Sequence, residues 1–207
     1  MRETPARTRL IAIAAAGVLL IVIGIGRTVF GGDGEEADPS AARAALEAAG
    51  CTLRLVTAVP NKSDHSDVKS PDEISPEWNT DPPTSGPHWG ETAVYGIYTE
   101  PLQQARVVHN LEHGGAFIQY GGDVFPAEIE KIAAFYDDHK EGTLVAPYPV
   151  LEEKIALGAW IAGKGRGQGV LALCTHVDRK AFTAFFDAFQ FKGNERFPAS
   201  SMLPGSN

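Results

Sequence analysis

Apolar and polar positions divide the chain into two unlike parts. The first holds one long uncharged run, LIAIAAAGVLLIVIGIG from Leu10 to Gly26, which continues past Arg27 to Phe30. Its length is close to the ~20 residues a helix needs to cross the hydrocarbon core, with Arg27 able to snorkel to the far headgroups. A cleaved signal peptide would show a shorter core followed by a small-residue cleavage site, and no A-x-A pattern follows this run. An uncleaved transmembrane anchor is therefore expected. Basic Arg2, Arg7 and Arg9 precede it, and acidic Asp33, Glu35, Glu36 and Asp38 follow. That asymmetry puts the N-terminus in the cytoplasm and the rest outside. The expected division is a cytoplasmic tail at 1–9, an anchor at 10–30, an acidic linker with a short helix at 31–50, and an extracytoplasmic domain at 51–207.

Beyond the linker the pattern is that of a globular domain. Asp38 as N-cap, Pro39 as first residue and Gly50 as stop frame an Ala-rich helix. Leu53 to Val59 reads as a strand. Residues 61–87 are dense in Pro, Ser and Asp, and the DPPTSGP run denies them helix and ladder bonding. Trp78 and Trp89 imply that this long loop is packed. In PAEIEKIAAFYDDHKEG, Pro126 opens a helix with Ile129, Ile132, Ala133 and Tyr136 at helical spacing, ending near Gly142. GTLVAPYPV, KIALGAWIAG and VLALC read as strands, and a last helix opening at Asp178 carries a core stripe of Phe182, Phe185, Phe186 and Phe189. The GKGRGQG between the last two strands lacks the order of a phosphate-binding loop and reads as a hairpin. The expected fold is a single α+β domain with a mainly antiparallel sheet covered by helices on one face. Strand order is not legible.

Charge narrows the partners. The chain carries a formal −8, and residues 1–30 contribute +3 from four arginines against Glu3, so the remainder carries −11. Such a surface disfavours nucleic acid and anionic lipid and suits cations. Its two cysteines, Cys51 and Cys174, would lie where disulfides persist, and a disulfide is favoured. A lipidated Cys51 in AAGC is disfavoured because the apolar run ends too far upstream. A thiolate ligand, with Cys174 beside His176 in CTH, is the other alternative.

The candidate chemistry rests on six histidines. His139 falls at a helix C-terminus, where a structural role suits it, and His176 sits where it can cap the last helix. His109-Asn110-Leu111-Glu112-His113 matches H-x-x-E-H, a zinc peptidase order in which both histidines bind metal and Glu112 is the general base. That chemistry needs a helix, which PLQQARVVHNLEHGG supplies with Pro101 in its first turn and Gly114 as its left-handed stop. A strand would send Glu112 to the opposite face. Three points oppose a peptidase: the helix ends at once, no later acidic helix offers a third ligand, and the domain is small. A second reading joins His65 and His88 to His109 and His113 as ligands for copper or zinc. Met202 could add a thioether for copper(I). In the bland alternative these histidines only hydrogen-bond loop backbone. A serine hydrolase built on Ser85, His88 and Asp81 is weakest, because no G-x-S-x-G elbow surrounds Ser85.

Taken together, AAGC at Cys51, isolated His65, DPPTSGPHW, VHNLEHGGAFIQY, the AW of GAWIAG and Cys174 before an aromatic helix resemble an uncharacterised family of bacterial domains. That family is largely actinobacterial and typically anchored by one N-terminal helix. The resemblance spans residues 48–204 and implies no activity. It does imply that the two cysteines and His65, His88, His109 and His113 form one recurrent pattern. The expectation is a membrane-anchored extracytoplasmic domain binding copper or zinc through these histidines. The alternatives are a metal-dependent hydrolase using Glu112 and a non-catalytic envelope module.

Overall fold

The computed structural model describes residues 39–60, 62, 65, 67–163 and 165–207. The expected anchor and the Asp38 cap lie outside these residues. Among the described residues no helix is long and apolar enough to cross a membrane.

The chain runs α1 (Pro39–Ala48), β1 (Thr52–Thr57), β2 (Gly96–Ile97), α2 (Gln104–Glu112), β3 (Ala116–Tyr120), α3 (Pro126–Asp137), β4 (Thr143–Pro147), β5 (Ile155–Ile161), β6 (Gln168–Cys174) and α4 (Arg179–Phe189). Proline opens α1 and α3, where a missing N–H costs nothing. Asp178 caps α4 by accepting from the Ala181 N–H at 2.8 Å.

The strands form one sheet in the order β1-β6-β5-β3-β4-β2. It is mixed, which corrects the mainly antiparallel expectation. β1, β6, β5 and β3 pair antiparallel, whereas β3 with β4 and β4 with β2 pair parallel. The physical cause is α3. It carries the chain from the end of β3 back along its length, so that β4 starts beside the start of β3, with Ala116 opposite Thr143. β5 and β6 are the expected hairpin, joined through the glycine-rich loop after the Ile161 and Gln168 pair.

Covering helices on one face only is also corrected. All seven residues of β5 are buried, so both sheet faces must be covered. Ile155, Leu157, Ala159 and Ile161 pack with Leu46 of α1, Ile132 and Phe135 of α3, and Phe182, Phe185 and Phe189 of α4. Ala156 and Trp160 pack on the other face with Phe117, Leu144 and Leu171, beneath Val107, Val108 and Leu111 of α2. Phe117 lies over Gly158, where any side chain would collide with its ring. Cys51 and Cys174 form a disulfide across a separation of 123, joining the start of β1 to the end of β6.

Candidate metal centre

α2 is fixed from below by its apolar side, since Val107, Val108 and Leu111 are fully buried against the sheet. Its flank therefore carries His109 and Glu112, three residues and nearly one turn apart, toward the Pro-rich loop. The helix begins three residues later than Pro101 implies. Gln103 stays extended and its carbonyl accepts the first helical bonds, from Arg106 and Val107.

Its other end is closed by backbone. Gly114 takes φ +96°, the left-handed stop expected of it. The carbonyls of Glu112, His113 and Gly114 then accept N–H bonds from Glu195, Phe197 and Phe191 at 3.0, 3.4 and 2.7 Å. This close approach needs glycine at 193, because a Cβ there would strike the Glu112 carbonyl and the Gly114 amide. Gly193→Ala is accordingly expected to cost about 1–3 kcal/mol of stability, as overpacking does. Urea unfolding monitored by circular dichroism checks it, and a change under 0.5 kcal/mol would show that the segment yields.

Asn110 is fully buried and staples the preceding loop to α2. Its Oδ1 accepts from the Ala93 N–H and its Nδ2 donates to the Ala93 carbonyl, each at 2.8 Å. The second half of the loop is held by buried hydroxyls. Thr84 bonds Thr80 at 2.8 Å and Asn79 at 3.2 Å, and Ser85 Oγ accepts from the Val59 N–H at 3.0 Å. Trp78 Nε1 donates to the Pro87 carbonyl at 2.8 Å. Gly86, at φ +128°, lies close against Trp78. The serine hydrolase reading falls here. Ser85 is a strut, and the Asp81 carboxylate accepts from the Tyr148 hydroxyl at 2.5 Å.

These supports deliver three imidazoles to one place. Ring centroids are 5.0 Å apart for His65 and His88, and 4.8 Å for His65 with His109 and for His88 with His109. One ring nitrogen from each lies within 4.8 Å of the others. Three such atoms share a point within about 2.8 Å of all of them, so an ion with ~2 Å bonds is met by a small inward shift. His88 Nδ1 is 2.9 Å from the Gly86 carbonyl, and His109 Nδ1 is 2.8 Å from the Trp89 carbonyl. A carbonyl only accepts, so each Nδ1 carries the proton; His109 Nε2 then presents its lone pair, whereas His88 Nε2 lies against the Glu112 carboxylate. A backbone bond at Nδ1 is how proteins orient histidine toward metal. Burial first, then the neighbouring imidazoles His88 and His113, push His109 down to about 4, which keeps it neutral and able to ligate.

Glu112 faces the same side. Its Oε2 is 3.0 Å from His88 Nε2. Burial alone would raise its carboxyl, but the His88 hydrogen bond and the surrounding imidazoles outweigh burial and hold it below the usual glutamate range. His113 stands one ring further out. It meets His109 edge-on at 4.5 Å, packs on Phe197 at 4.2 Å, and places Nε2 3.4 Å from Glu195 Oε2. The three-donor group among the described residues is His65, His88 and His109, without His113. The H-x-x-E-H segment thus forms a helix with its glutamate on the histidine side, but only its first histidine joins the close cluster.

The other candidates are engaged elsewhere. Met202 is buried in the core beside Gly142. His139 donates from Nδ1 to the Phe135 carbonyl at 3.0 Å and stacks on the Phe135 ring, the structural place expected of it. His176 is exposed beside Thr175, and Asp178 rather than His176 caps α4. Glu195 has no motif signal in the sequence, and Trp160 enters only as the W of GAWIAG, which does not reveal that its ring lies edge-on 6.1 Å from His88. Only folding brings them to the site.

Fold and site define a disulfide-linked α+β domain with a histidine cluster able to hold a metal ion between its Pro-rich loop and α2. The chain belongs to the family described as Protein of unknown function (DUF3105), whose model matches residues 71–201. The match starts later and ends slightly earlier than the expected 48–204. It includes His88, His109, Glu112, His113 and Cys174, while His65 and Cys51 precede it. No curated protein and no solved structure matches the chain.

Proposed function

We propose that this protein is a membrane-anchored extracytoplasmic domain that binds one borderline divalent transition metal ion, zinc or copper(II), through His65, His88 and His109, with Glu112 as fourth ligand. The observation that carries the reading is the convergence of three imidazole nitrogens within 4.8 Å, two of them oriented by backbone carbonyls. Imidazole and carboxylate suit these ions, and no thiolate competes because both cysteines are paired. The disulfide supports an oxidising compartment, and the apolar run Leu10–Phe30 supports the anchor. Purified full-length chain, stripped with chelator and titrated with Zn²⁺ or Cu²⁺, is expected to take up one ion per chain by elemental analysis. No uptake at micromolar metal would overturn the reading.

The hydrolase alternative keeps one supporting observation, the placement of Glu112 beside the cluster. Three histidines plus a free position is the pattern of catalytic zinc, whereas a fourth protein ligand closes the shell. Glu112→Gln separates the two roles. As a ligand, its loss should weaken zinc by about 10- to 100-fold or more, the range already seen when a ligand's hydrogen-bond partner is removed. As a general base acting on metal-bound water, its loss would leave zinc affinity unchanged.

A further inference from the structure

We infer that His113 and Glu195 form an access pair that captures the divalent cation from solvent and passes it inward to the buried histidines. The inference rests on the metal-centre reading above and adds the route by which that centre is loaded.

Exposure falls along a line of donors. The Glu195 side chain is 57% exposed and that of His113 19%, while His109 is 6% exposed and His88 fully buried. Successive groups are in contact: Glu195 Oε2 lies 3.4 Å from His113 Nε2, the His113 ring 4.5 Å from His109, and the His109 ring 4.8 Å from His88. The longest step on this line is 4.8 Å between ring centroids. The pair is also rigidly mounted on the helix end that carries the centre. Glu195 N–H donates to the Glu112 carbonyl at 3.0 Å, Phe197 N–H donates to the His113 carbonyl at 3.4 Å, and the Phe197 ring packs against the His113 ring.

The chemistry of each step suits a hydrated ion. A solvent-exposed carboxylate attracts a divalent cation without requiring it to give up many waters. The half-buried imidazole then replaces water with nitrogen, and the buried histidines complete the exchange. Each transfer swaps one ligand for another, which avoids stripping the ion of all its water at once. His113 lies outside the close donor group, so it serves the path and not the resting shell. The ligand class is a borderline divalent cation that imidazole and carboxylate both accept.

An access pair changes rates without changing the bound state, and the test reads that difference. Stopped-flow mixing of apo full-length protein with Cu²⁺ should quench tryptophan fluorescence, because Trp160 lies 6.1 Å from His88. In Glu195→Gln and His113→Gln, occupancy should stay at one ion. Association and dissociation should both slow about tenfold, leaving Kd within about threefold, and the Glu195→Gln deficit should shrink in high salt. Unchanged rates in both variants, with one ion bound, overturn the inference alone. Loss of the bound ion in His113→Gln overturns it too, by making His113 a ligand of the centre. Failure of the unmodified chain to take up metal removes the metal-centre reading and this inference with it.

Discussion

In His109→Ala, metal occupancy is expected to fall from one ion per chain to below one tenth at micromolar free zinc or copper(II). His109 is the middle member of the cluster, touching His65, His88 and His113 by ring contact. Its imidazole is held neutral by burial, so it is ready to donate without first losing a proton. Deleting it leaves two imidazoles and a carboxylate spread across a hole. The affinity loss should exceed the ~100-fold that follows removal of a ligand's hydrogen-bond partner. Competition against a chromophoric chelator measures the loss directly. The substitution also leaves the Trp89 carbonyl without its donor, so folding must be compared in parallel. His65→Ala provides the comparison, since His65 is less buried yet belongs to the same donor set. An unchanged stoichiometry in His109→Ala, with the fold intact, would sink the metal-centre reading.

The second large effect concerns stability. Cys51→Ser with Cys174→Ser should cost about 5 kcal/mol on the chain-entropy account, given a separation of 123 between the joined residues. For a domain of this size that corresponds to a fall in Tm of roughly 10–20 °C. Both cysteines are buried between the sheet and the α1 and α4 layer, so the new hydroxyls add a packing penalty of the same sign. Thermal unfolding followed by circular dichroism, in the variant and in chemically reduced protein, would check the figure. A shift of only a few degrees would mean that the six register pairs between β1 and β6 hold that edge without the covalent link.

Much of the local structure was legible from spacing alone. Pro39, Pro126 and Asp178 mark the starts of α1, α3 and α4, because proline and a capping carboxylate act on amides within their own turn. The phenylalanines at 182, 185, 186 and 189 announce the buried side of α4 for the same reason: their positions on the helix follow from its period. Strand β3 was not legible. AFIQY follows the glycine pair directly and is too short to show a period, yet it lies between β5 and β4 near the middle of the sheet. The parallel pairing it makes with β4, and hence the mixed sheet, depends on where α3 packs.

The same division runs through the candidate centre. Composition and spacing sufficed to mark the histidines, to require a helix for H-x-x-E-H, and to put Glu112 on the side of His109. These are consequences of a 3.6-residue period and of a donor's chemistry. Which histidines meet was decided only by tertiary structure. His65 and His88 come from a loop with no period, whose path is set by Trp78, Thr84, Ser85 and Asn110 bonding groups as far as 26 residues away. Glu195 reaches His113 because the chain after α4 returns to cap α2, a contact between segments some eighty positions apart. Donor types, and the helix that presents two of them, follow from local pattern. The tertiary structure decided the convergence, because bringing distant donors together is a matter of packing and loop closure that no local pattern encodes.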